Sequence, residues 1–81
     1  MKITAAAIKV DGKIYTGQRH AQIMRKIWDE DQHTDRRITQ DMQGFVTEDG
    51  QFWNRYQAGA IAFKAGQTSE RKRELFSEDL W

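Results

Sequence analysis

The pair Asp-Gly occurs twice in this chain, at Asp11-Gly12 and at Asp49-Gly50, each time between two short β-compatible runs. Both residue types tolerate positive φ, which the tight turn of a hairpin demands, so each pair predicts a two-stranded unit. The first joins an apolar run over residues 2–10 to Lys13-Ile14-Tyr15-Thr16. Ala5, Ala6 and Ala7 weaken the propensity of that run, but alternation survives through Ile8 and Val10, and Gly17 ends the second strand. The second turn, Glu48-Asp49-Gly50, joins Gly44–Thr47 to Gln51–Trp53.

A helical pattern follows each hairpin. Between Gln18 and about Gln32, the residues Ile23, Met24, Ile27 and Trp28 recur at the spacing of one buried stripe, with Arg25, Lys26, Asp29 and Glu30 mainly outside it. Asn54 with Gln57 three residues later is a capping-box variant that starts the second helix, and Gly66 stops it after Ala65. The stretch from His33 to Asp41 is polar, contains Arg36-Arg37 and shows neither period, so it reads as a loop of about nine residues. Thr68 to Glu74 is charged and predicts one or two helical turns; the closing Leu75, Phe76, Leu80 and Trp81 are apolar and must dock on their own sheet or on a neighbour.

The order strand, strand, helix, strand, strand, helix, tail predicts an α+β fold: a small, mainly antiparallel β-sheet of about four strands with two helices on one face. Residues 1–81 make a single domain. A chain this short buries only about 60% of its unfolded surface. With no cysteine, neither disulfides nor thiolate-held metal can brace it. Association with copies of itself is the remaining stabiliser, so an oligomer is expected. The net charge of +1 gives no general pull toward DNA. The longest apolar run, Ile3 to Ile8, is too short to span a membrane and lacks the features of a signal peptide, so the chain is expected inside the cell.

Candidate binding residues cluster where strands hand over to helices. Arg19-His20 stands at the first helix start, where backbone N–H groups already favour anions; the plainer reading is a solvated arginine beside a half-buried histidine. Phe52 and Trp53 must face opposite sides of the sheet, so one fills the core while the other is left to stack on a base or on another subunit; Phe45 lies on the paired strand. Asn54 is a cap whose amide nitrogen remains free to donate, and Arg55 opposes the dipole of its own helix, which points to pairing with phosphate or a carboxylate. Arg36-Arg37 and Arg71-Lys72-Arg73 read either as solvated faces or as phosphate forks. His33-Thr34-Asp35 is thin support for a metal, and no metal or other cofactor is expected. There is no Gly-x-Ser-x-Gly elbow, Walker loop or His-Glu-x-x-His, and no poised carboxylate pair, so no catalytic residue is assigned and the chain is not expected to be an enzyme.

Gln43-Gly44-Phe45-Val46-Thr47, the stretch from Gly50 to Arg55, the helix from Ala58 to Gly66, the ending Leu75-Phe76-Ser77-Glu78-Asp79-Leu80-Trp81, and Arg19-His20 together resemble the phage-encoded Thoeris anti-defence sponges of the first type. Trp53 departs from the resemblance, standing where a smaller apolar residue is usual. The resemblance implies a non-catalytic protein in the host bacterial cytoplasm that sequesters the cyclic ADP-ribose isomer made by bacterial TIR-domain enzymes. It also implies dimers assembling into hexamers and, in some members, binding of the cyclic trinucleotides of CBASS at a separate site. Carried onto this chain, Phe45 would stack on the base, Asn54 would contact the ribose region, Arg19 would hold phosphate with His20 nearby, and Arg71 or Arg73 would close the pocket from a neighbouring chain. Two other classes stand beside it: a nucleotide-degrading enzyme using His20 or His33 as acid or base, and a small module that blocks a host protein through exposed aromatics and the apolar tail.

Overall fold

The computed structural model describes residues 1–30 and 38–81. Arg36, Arg37, His33 and Asp35, with the far end of the first expected helix and most of the expected loop, lie outside the described residues. Both Asp-Gly pairs turn a hairpin. Strand β1 (Ile3–Val10) pairs antiparallel with β2 (Lys13–Gly17), Val10 opposite Lys13. The two residues between them, Asp11 at φ 51° and Gly12 at φ 80°, occupy the left-handed region that a two-residue hairpin loop requires.

Strands β3 (Gln43–Thr47) and β4 (Phe52–Asn54) form the second hairpin. Gly50, at φ 81°, donates to the Thr47 carbonyl at 2.8 Å, and the Thr47 hydroxyl bonds the Asp49 carboxylate, which also accepts from the Gln51 N–H at 3.2 Å. β1 then pairs with β3, giving a fully antiparallel sheet in the order β2-β1-β3-β4. The β1–β3 register slips between Ile3 and Ala5. That one-residue bulge resets the alternation, which keeps Ile3 on the same buried face as Ala6, Ile8 and Val10.

Helix α1 (His20–Glu30) and helix α2 (Arg55–Lys64) pack on that face, so the α+β architecture read from the sequence is the one observed. α1 buries Ile23 and Ile27, whereas Met24 is half-buried and Trp28 remains 51% exposed; its apolar stripe is one row narrower than the spacing predicted. α2 buries only small residues, Ala58, Gly59 and Ala62. Its cap is complete: Asn54 Oδ1 accepts from the Gln57 N–H at 2.8 Å and Gln57 Oε1 accepts from the Asn54 N–H at 3.1 Å. At the other end Gly66 adopts φ 76°, and the N–H of Gln67 reaches the Ala62 carbonyl at 2.8 Å, closing the last turn. The Gln67 side chain then pairs with both the N–H and the C=O of Ile3, each at 2.8 Å, and ties the end of α2 to the start of β1.

The stretch over 68–74 forms no helix, contrary to the sequence expectation. Its backbone is drawn against α2 instead: a Cβ on Gly59 would stand 2.1 Å from the Lys72 carbonyl oxygen, a contact only glycine permits. The tail docks on its own domain. Leu75 is wholly buried, its N–H donates to the Arg55 carbonyl at 3.0 Å, and Leu80 and Trp81 pack half-buried against the same core. Of the two aromatics on β4, Trp53 joins the core side and donates Nε1–H to the Thr47 hydroxyl at 3.1 Å. Phe52 lies on the other face, its ring over Gly44 where a Cβ would come within 2.7 Å of it.

Candidate functional site

Asn54 ends β4 and caps α2, so the chain turns sharply there and sets Arg55 and Tyr56 in the helix's first turn. N–H groups in that turn have no partner within the helix and attract negative charge. Arg55 is half-buried and shared among several elements. Its Nη2 donates to Gln43 Oε1 at 2.7 Å, and its guanidinium carbon lies 4.7 Å from the centre of the Phe76 ring. Its Nε is buried with no partner among the described residues. Burial pushes the Arg55 pKa downward, opposed by the carboxylates of Glu74 and Glu78, and the group stays cationic at neutral pH.

Tyr56 is 56% exposed and stands where three concavities meet. The first, about 270 Å³, is bounded by Gln40, Asp41, Asn54, Arg55 and Glu74. The second, about 370 Å³, is walled by Arg71, Lys72 and Arg73. The third, about 460 Å³, has an apolar floor that includes Trp53, Ala60 and Ile61, with Arg71 at its rim. A hydrogen bond to Glu74, and then the charge of that carboxylate, raise the Tyr56 pKa and fix the phenol in its neutral form. Lys72 is engaged by Glu70 at 3.1 Å and Asp79 at 3.9 Å. Among the described residues, Arg71 and Arg73 have no carboxylate at ion-pair distance.

The structure thus brings Asn54, Arg55, Arg71 and Arg73 into one region and leaves three expected site residues out of it. His20 is 6% exposed; its Nε2–H donates to the Gly44 carbonyl at 2.7 Å, and its ring meets Phe45 edge-on at 5.1 Å. Burial lowers its pKa, outweighing the bond to Gly44 that would raise it, while the Arg55 charge pushes it further down; the imidazole is neutral. Phe45 is 0% exposed, packed beneath His20 within the core, and presents no face to a ligand. Arg19, half-buried with its Nη1 lacking a partner among the described residues, lines none of the three concavities. Tyr56, Gln43, Glu74 and Phe76 were not singled out by sequence. Tyr56 had a signal: with Ala60 it forms an i, i+4 row on the side of α2 that leaves the buried Ala58–Ala62 row.

Among the described residues, no three His, Asp or Glu side chains are grouped to hold a metal ion, and no helix is long and apolar enough to cross a membrane. The family model of the phage T4 y16D protein matches residues 2–81, nearly the whole chain. The chain belongs to that family. It is therefore a member of a phage protein family, as the resemblance implied at that level. Neither the curated proteins nor the solved structures include a significant match. In this family member the polar handover from β4 to α2, rather than the buried His20–Phe45 pair, carries the accessible chemistry.

Proposed function

We propose that this phage protein captures an anionic nucleotide signal at the start of α2 and holds it without breaking a bond. The observation that carries the reading is that Arg55 lines one hollow beside the exposed Tyr56 and Arg71 and Arg73 line the adjoining one, with Arg55 Nε buried and without a partner among the described residues. Guanidinium forks grip phosphate oxygens through paired donors, and the first-turn N–H groups add to the same field. Asn54 Oδ1 is committed to its cap, so its Nδ2 is the group available to a ribose hydroxyl. Arg19 and His20 are not part of this pocket in a single chain, and the enclosed Phe45 yields the ring-stacking role to another residue.

The ligand class is that of the sponges the sequence resembles: a cyclic ADP-ribose isomer, with cyclic trinucleotides as a second class. Homo-oligomerisation of dimers into hexamers, in the host bacterial cytoplasm, belongs to the same proposal; a neighbouring copy would then add residues to the rim at Arg71–Arg73. Sequestration requires slow release and no turnover, and a site built on a capped helix start and a paired strand is rigid enough to favour tight binding. The test is to incubate the protein with a cyclic ADP-ribose isomer, remove unbound material, denature by heat and weigh what is released. Release of the ligand with unchanged mass supports capture. Release of a hydrolysed product points to the nucleotide-degrading class instead, and recovery of no ligand contradicts binding.

A further inference from the structure

The apolar concavity between Trp53, Tyr56, Ala60 and Ile61 opens directly onto the basic rim at Arg71, with the Tyr56 ring as the wall common to both. We propose that this groove is a subsite for the flat heterocycle of a purine nucleotide whose phosphate rests on Arg71 and Arg73. The inference rests on the nucleotide-capture reading above and assigns that ligand's ring to a place the sequence did not mark.

Three observations select this occupant. The groove's volume of about 460 Å³ and the adjoining basic hollow of about 370 Å³ each fall in the range of small-molecule pockets. The floor is aliphatic and aromatic, which suits a planar ring, whereas the adjoining rim carries two arginines without a carboxylate partner among the described residues. An apolar ligand would leave those cations unused, and inorganic phosphate would leave the floor unused. The exposed Tyr56 ring stands in the groove lining as a stacking wall, and Gln57, also on the lining, supplies an amide nitrogen for a ring-edge acceptor. Gln57 Oε1 is already held by the Asn54 N–H, so the free end of that amide is its donor.

The test uses the whole chain with three probes: adenosine 5′-monophosphate, ribose 5-phosphate and inorganic phosphate. Titration is followed by the methyl resonances of Ala60 and Ile61 and by the affinity of each probe. The nucleotide is expected to bind at least about fivefold more tightly than ribose 5-phosphate, as stacking of one base provides, and to shift both methyl signals by ring current, which the other two probes do not. In Ala60→Trp, which fills the groove from a half-exposed helix position, the nucleotide should fall to the affinity of ribose 5-phosphate while ribose 5-phosphate itself is unchanged. Ala60→Met gives the same loss at smaller scale should the larger side chain disturb folding, and the wild-type methyl shifts need no variant at all. Equal affinity for nucleotide and ribose 5-phosphate, with silent methyls, overturns the ring subsite and leaves phosphate capture standing. Binding of none of the three overturns both. Methyl signals that broaden with protein concentration alone would mark the groove as an interface between copies and overturn the subsite.

Discussion

The two halves of this domain use the same local grammar and reach different ends. Each is a hairpin turned by Asp-Gly and followed by a helix, and the two hairpins meet through β1 and β3. In the first half α1 is held to the sheet by bulk, chiefly Ile23 and Ile27. In the second, α2 presents Ala58, Gly59 and Ala62, which let the sheet and the 71–76 segment approach closely. Close approach with small residues has a consequence that bulk does not. It brings backbone, Arg55, Glu74 and Phe76 within reach of one another and leaves the larger polar and aromatic side chains of α2 pointing to solvent. The half with the smaller interface residues is the half with the candidate site.

This contrast can be broken by substitution. Ile23→Ala removes a side chain that is 2% exposed, and a core truncation of this kind is expected to cost about 3 kcal/mol in urea unfolding. A loss well under 1 kcal/mol would show that bulk is not what seats α1. The second half should respond to the opposite change. Gly59→Ala is favourable to an isolated helix by about 1 kcal/mol, yet here the added Cβ meets the Lys72 carbonyl, so a net destabilisation of about 2 kcal/mol is expected. Stabilisation by Gly59→Ala would mean that the 71–76 segment does not lie against α2.

A smaller effect sharpens the role of the handover residue. Asn54→Ala is expected to lower stability by about 1 kcal/mol through loss of the cap, and nucleotide binding must be compared at matched fraction folded. The smallest effect comes from His20. Its folded pKa lies below the ordinary imidazole value of 6.5, so both states are neutral at higher pH and its contribution is fully present there. As pH falls through 6.5, the unfolded chain takes up a proton that the folded chain resists, and stability declines until the lower folded pKa is passed. Between about pH 7.5 and about pH 5.5 the wild type should therefore lose more stability than His20→Gln. Parallel curves would show that the buried imidazole is not held neutral.

Much of the architecture was legible because its signals are local. Asp11-Gly12, Asp49-Gly50 and the Asn54–Gln57 box each specify a turn or a cap from side-chain chemistry alone, and all three are where the sequence placed them. The opposite facing of Phe52 and Trp53 followed from strand alternation. The irregular path of 68–74 was not legible, because charge content and length say nothing of a contact with Gly59 that exists only once α2 is in place. For the site, Asn54, Arg55, Arg71 and Arg73 were named from residue type and position. Phe45 and His20 share the same composition cues, but which face of β3 the ring occupies depends on the β1–β3 register, and that pairing puts Phe45 opposite Ala6 inside the core. Tyr56 was passed over because a lone aromatic in an alanine-rich helix reads as packing until the buried row is known.

The most direct test of capture at the start of α2 is a calorimetric titration of wild type and the Arg71→Ala/Arg73→Ala variant with a cyclic ADP-ribose isomer, at matched thermal stability. Both arginines are exposed, so their removal should spare the fold. Capture there requires at least about a tenfold weaker Kd in the variant, equivalent to about 1.4 kcal/mol, and weaker binding by the wild type as salt is raised. Equal affinity in the two proteins, or no heat of binding in the wild type, would contradict it.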